Sequence, residues 1–141
     1  MIMNSKTSVL LTSLQTYFKN PNKLQVLVNV RNHTLGLTPR LLDWFVVIYS
    51  RKHPVYINGF HIYESYKNAL KSYGKQFFDP FCRVHKIIIK TPSEDLIQTS
   101  ISQLNFIRWA IDTQVIQHIE KNISVYLPEM NVAALKERKV R

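Results

Sequence analysis

The stretch "TPRLLDWFVVIYSRKHP" constrains the chain most, because from Leu41 to Tyr49 almost every side chain is apolar. Eight apolar residues out of nine, broken only by Asp43, are too few to cross a bilayer and too many for a helix with one wet face. They call for a helix covered on most sides, which only a globular core provides. Its start is marked by Thr38, whose hydroxyl can cap free backbone N–H groups. Pro39 follows at the first helical position, where a missing N–H costs nothing. Arg51, Lys52 and Pro54 end it, with the cations at the negative end of the helix dipole.

Other elements group around it. Leu10, Leu11, Leu14, Tyr17 and Phe18 recur at helical spacing, so residues 8–19 read as a helix stopped by Asn20-Pro21. In "LQVLVNV", Leu24, Val26, Val28 and Val30 alternate with Gln25, Leu27 and Asn29, the pattern of a strand with one buried face. "VYINGFHIY" predicts a hairpin turning at Asn58-Gly59, since a two-residue turn needs positive φ at both positions. A helix over about residues 64–74 would bury Tyr66, Ala69, Leu70 and Tyr73 and turn Lys67, Lys71 and Lys75 outward. "RVHKIIIK" reads as a strand closed by Thr91-Pro92, and Glu94-Asp95 as acids suited to a helix start. "TSISQLNFIRWAIDTQVIQHIEKNI" reads as two helical pieces, one begun by a Ser100/Gln103 capping box and one capped by Asp112. The expectation is a single α+β domain over residues 1–127. About five helices flank a small, mainly antiparallel sheet with the Asn-Gly hairpin, and residues 128–141 form a loose basic tail.

A chain of 141 residues suffices for one such core. Cys82 is the lone cysteine, which excludes an internal disulfide and a secreted, disulfide-stapled fold. The N-terminus lacks the apolar core and cleavage pattern of a signal peptide, and no apolar run is long enough to span a membrane. An intracellular protein without a membrane span is expected.

Catalytic motifs are missing from the sequence. Three glycines (Gly36, Gly59 and Gly74) leave no glycine-rich phosphate loop, and neither a nucleophile elbow nor a paired-histidine zinc helix occurs. Cys82 and His85 have the spacing of one half of a zinc site, but without a second cysteine they read as a packed thiol beside a strand histidine. No enzyme, cofactor or metal is expected.

The charge balance says more. Nineteen Lys and Arg stand against nine Asp and Glu, a net +10 that favours a polyanionic partner. Lys67, Lys71, Lys75, Arg83, Lys86 and Lys90 fall within one stretch containing only Glu64 and Asp79 as acids. Tyr63, Tyr73, Phe77, Phe78 and Phe81 are interleaved with them, as on surfaces that stack bases, although core packing explains the same aromatics. Gln103, Asn105 and Arg108 project from a helix and are side-chain types that read base edges, but Phe106, Ile107, Trp109 and Ile111 make a core helix with one polar edge the better account. Lys136, Arg138, Lys139 and Arg141 would add flexible contacts. The resulting expectation is a nucleic-acid-binding protein, contacting duplex DNA through phosphates. The alternative is a structural or interaction module whose basic face meets an acidic protein, with self-association left open.

"LKSYGKQFFDPFCR" followed by "ISQLNFIRWAI" resembles a group of short proteins from giant nucleocytoplasmic DNA viruses, in which "LKxYxKxxFDPFCR" precedes "GQLNFFRWAI". The likeness covers about residues 38–123. It departs at Ser102, where the group has Gly, and at Ile107, where it has Phe, and the chain ends before a longer basic tail. The resemblance implies a viral source and points to no particular activity; the expected place of action is the host cytoplasm or nucleus, with packaging in the virion left open. Physically, "FFDPFCR" reads as an aspartate-proline turn pinned by aromatics, leaving Arg83 to pair or to bind phosphate.

Overall fold

The structure is a computed structural model and describes residues 4–140, with side chains as far as residue 138. Seven helices and two small antiparallel hairpins among these residues form one α+β domain. α1 (Ser5–Tyr17) is capped by Asn4, whose Oδ1 accepts from Thr7 N–H at 2.9 Å. α2 (Pro21–Arg31) stands where a strand was expected. Asn20 accepts from Asn22 and Lys23 N–H, and Pro21 occupies the first helical position. The Asn-Pro pair read as the stop of one helix is also the start of the next. Leu24, Leu27 and Val30 are buried at a spacing of three, a helical face that outweighs the β propensity of the valines.

α3 begins at Pro39 with Thr38 capping Leu41 N–H at 3.1 Å, as the sequence predicts. It runs as an α-helix over Pro39–Asp43, widens to a π-helix over Trp44–Tyr49 and ends at Ser50–Lys52. Leu41, Leu42, Trp44, Phe45 and Val46 are buried, while Ile48 is exposed. β1 (Tyr56–Ile57) and β2 (Phe60–His61) pair antiparallel around Asn58 and Gly59, whose φ values of 49° and 83° give the expected turn.

α4 (Ile62–Tyr73) is followed by a 3-10 turn at Lys75–Phe77 and a loop. β3 (Lys86–Lys90) pairs with β4 (Leu96–Ser100), from Lys86 opposite Ser100 to Lys90 opposite Leu96. β4 was not anticipated. Glu94-Asp95, expected at a helix start, lies in the β3–β4 turn, where Thr91 N–H donates to the Asp95 carbonyl. The two hairpins are separate, so the single sheet expected is not formed.

α5 (Ile101–Asp112) is the most enclosed element, with nine of its twelve residues buried. It contacts α1, α2 and α6 (Val115–Lys121). Asp112 does not cap α6. Its carboxylate accepts from Tyr17 Oη at 2.7 Å, and Gln114 enters the helix from a left-handed conformation, φ 64°. Burial first, and then that hydrogen bond, raise the Tyr17 phenol well above its usual pKa.

Residues 128–140, expected as a loose tail, are helical, and beyond Met130 the described side chains are exposed apart from Ala134. α7 (Ile123–Val140) is continuous through Pro128, and buried Tyr126 and Met130 anchor it. The Tyr126 ring lies 4.8 Å from Phe45 of α3, and its hydroxyl is 2.8 Å from His118 Nε2 of α6. These apolar anchors on either side of Pro128 supply the packing that the basic composition obscured.

Candidate nucleic-acid interface

α4 is capped by His61, whose Nδ1 accepts from Glu64 N–H, and closed by Gly74 at φ 79°. Ile62 is buried, and Tyr66, Ala69 and Leu70 pack half-buried on the core. Lys67 and Lys71 are exposed on the other face, and Lys75 follows just beyond the helix end. Tyr73, expected inside, stacks on Phe78 at 5.9 Å yet keeps 41% of its surface.

The loop after α4 is held by side chains from the β4–α5 junction, one to each carbonyl. Asn105 Nδ2 donates to Phe77 O at 2.8 Å, and Ser102 Oγ donates to Asp79 O at 2.9 Å. Gln103 Nε2 donates to Pro80 O at 3.0 Å, and Ser100 Oγ donates to Cys82 O at 2.6 Å. Ser102 Oγ also accepts from Asp79 N–H at 2.6 Å. Asp79 Oδ1 then accepts from Phe81 N–H at 2.7 Å, which closes the Asp-Pro turn. Gln103 and Asn105 therefore bond to this protein's own backbone and are buried, in keeping with the core reading of this helix, although they do not form the outward polar edge expected. The expected Ser100/Gln103 capping box is half formed. Ser100 accepts from Gln103 N–H, but the Gln103 amide goes to Pro80 and its oxygen accepts from Thr99. Each buried bond contributes about 1 kcal/mol net, and leaving such a group unpaired would cost about 1–3 kcal/mol.

Bracing fixes what the loop displays. Phe78 is buried against Phe106 and Trp109, and Phe77 stacks on His85 at 5.2 Å. Phe81 remains 53% exposed beside a recess lined by Lys75, Gln76, Asp79, Phe81 and Cys82. Cys82 Sγ points to the Gln76 carbonyl at 3.8 Å. Among the described residues no three His, Cys, Asp or Glu side chains gather to hold a metal ion.

The cations divide into groups. Arg83 and Lys86 are exposed at the end of the braced loop, because Lys86 pairs with Ser100, the residue that holds Cys82. Lys75 lies 3.9 Å from Asp79 across the same loop, and Lys67 sits over the Tyr63 ring at 5.5 Å. Lys90 is at the far end of β3, 3.7 Å from Glu94. Arg108 stands apart from all of these: it donates to Ser13 Oγ at 2.8 Å and Asn105 Oδ1 at 3.1 Å, tying α5 to α1. Lys136 and Arg138 are exposed on α7, which packs on α3 and α6, while Arg141 and the side chain of Lys139 lie outside the described residues. Beneath the loop, Asp43 has its pKa raised to about 6 by burial and by the Asp79 charge, with Lys75 opposing.

A family model described as "Family of unknown function (DUF7197)" matches residues 2–141, and the chain belongs to that family. It is 35% identical over 125 residues to "Uncharacterized protein L507" of Acanthamoeba polyphaga mimivirus. That match takes in 79% of this chain and 48% of the relative, so the chain spans about half the length of the curated relative it matches. A giant-virus relative agrees with the resemblance carried by "FFDPFCR" and "QLNFIRWAI". No solved structure matches. Among the described residues no helix is long and apolar enough to cross a membrane.

Proposed function

We propose that this member of the DUF7197 family is a non-enzymatic nucleic-acid-binding protein, holding duplex DNA by its phosphates in the organisation or regulation of a viral genome. Lys67, Lys71, Lys75, Arg83 and Lys86 are the principal contacts, Lys90 extends them along β3, and Lys136, Arg138, Lys139 and Arg141 supplement them. Arg108 drops out of the contact set because its guanidinium is engaged with Ser13 and Asn105. The host cytoplasm or nucleus, or the virion, is where such a role would be exercised.

The supporting observation is that Lys67, Lys71, Lys75, Arg83, Lys86 and Lys90 are exposed with little internal neutralisation. Among the described residues the side chains of Lys71, Arg83 and Lys86 have no hydrogen-bond or ion-pair partner. The pairs that do exist, Lys75–Asp79 and Lys90–Glu94, are long and four residues apart in sequence, and both lysines are exposed, although the Asp79 carboxylate is largely covered. Pairs of that kind contribute about 0.5 kcal/mol or less, so a phosphate displaces them readily.

The test is binding of a 20-base-pair duplex at about 50 and 200 mM salt, with wild type and the triple variant Lys67→Glu, Lys71→Glu, Lys75→Glu. Each phosphate contact contributes about −0.9 to the slope of log K against log salt, so the variant should lose about two to three units of slope. An unchanged slope and affinity would remove this surface from consideration.

A second reading, an interaction module meeting an acidic protein or another copy of itself, draws on exposed Val125, Val132 and Leu135 of α7. Light scattering separates the two: a stable oligomer indifferent to DNA favours the second.

A further inference from the structure

We infer that Phe81 is a stacking platform for an unpaired base, so that the braced loop takes a single-stranded stretch, bulge or end of the nucleic acid. This rests on the reading just given and names the form of nucleic acid the loop accepts. Of the three phenylalanines in "FFDPF", Phe78 is buried and Phe77 is half-buried on His85, whereas Phe81 is left with more than half its surface in water. An exposed ring on a mobile loop would be unremarkable. Here the backbone on both sides is fixed: Asp79 Oδ1 holds Phe81 N–H, Gln103 holds the Pro80 carbonyl and Ser100 holds the Cys82 carbonyl. Such a ring loses little conformational entropy when something packs on it, which is the condition for an efficient contact residue.

The surroundings choose the occupant. Lys75 and Gln76 line the same recess as the ring, and Arg83 follows two residues on, exposed and unpaired among the described residues. The recess's one carboxylate, Asp79, is spent on Phe81 N–H and on Lys75. An aromatic face flanked by cations and a side-chain amide matches a base with its neighbouring phosphates, a combination that an acidic peptide offers only in part. A base inside a duplex presents no face to stack on, so this contact is closed to paired DNA, while the lysines of α4 serve both forms.

Fluorescence anisotropy with a labelled 20-nucleotide oligo-dT and a 20-base-pair duplex tests the inference on wild type, Phe81→Ala and Phe81→Tyr. Phe81→Ala should weaken single-strand binding about tenfold, the middle of the range for losing one stacked base, and leave duplex binding within about twofold. Phe81→Tyr should restore single-strand affinity. Fluorescence of 2-aminopurine within the oligonucleotide should be quenched by wild type and not by Phe81→Ala. Single-strand binding unchanged in Phe81→Ala, or weakened equally with duplex binding, overturns the stacking role and leaves phosphate binding standing. A wild-type protein that binds neither form overturns both.

Discussion

Asp43 illustrates how a single side chain can carry a cost that its neighbours impose. It sits where α3 passes into the π-helical segment, half-buried, with the Asp79 carboxylate adding like charge and Lys75 relieving part of it. The unfolded carboxyl titrates near 3.8 and the folded one near 6. Between those values the native state holds the proton more tightly, so its stability falls as pH rises through that window and the full cost is present above it. Asp43→Asn should therefore raise stability by about 1 kcal/mol at pH 7.5, after allowance for solvent screening of a half-buried group. It should change little at pH 3.5. Urea unfolding at the two pH values checks this, and an equal effect at both would show that packing, not titration, is responsible. Nothing in the sequence around Asp43 hints at this, because its carboxylate neighbour is thirty-six positions away and arrives only through the loop. Ser102 teaches the same lesson. As a departure from a glycine it looked incidental, yet its hydroxyl holds both the N–H and the carbonyl of Asp79.

At the scale of elements, the close approach of α7 to the turn at Thr34–Gly36 is testable through two glycines. A Cβ on Gly36, at φ +86°, would come within 2.8 Å of Leu127 Cδ2, whereas one on Gly59, at φ +83°, would meet open space. Both Gly→Ala changes carry the left-handed penalty of about 1–2 kcal/mol. Only Gly36→Ala adds displacement of Leu127, so its melting temperature should fall further than that of Gly59→Ala. Equal losses would mean that Leu127 gives way freely. Elements written in local chemistry were legible: the Thr38-Pro39 start, the Asn58-Gly59 turn and the Asp79-Pro80 turn all stand as read. α2 was not, because alternating valines satisfy a strand pattern while the buried set Leu24, Leu27 and Val30 emerges only against α5. β4 was missed because "LIQTS" has a strand's identity only beside "KIIIK". The candidate site was half legible. Its cations could be counted, but the partners of "FFDPFCR" lie in "SISQLN", and nothing local joins the two.

For the molecule as a whole, one continuous core runs from Leu14 of α1 to Met130 of α7, and neither hairpin has a core of its own. Trp44 of α3 and Trp109 of α5 both belong to it. Denaturation should accordingly be one cooperative transition, with far-ultraviolet circular dichroism and tryptophan fluorescence superimposing. Separated midpoints would reveal a unit that unfolds by itself. The most buried helix proved to be α5 rather than the more apolar α3, since its polar residues turn inward to serve the loop.

That service has a further effect on how such a chain can vary. Four acceptors matched singly to four donors behave like pegs in a rack whose spacing is set by the helix pitch. Inserting or deleting one amino acid between Phe77 and Cys82 would throw the pegs out of step, whereas exchanging the outward side chain of Phe81 would leave all four bonds in place.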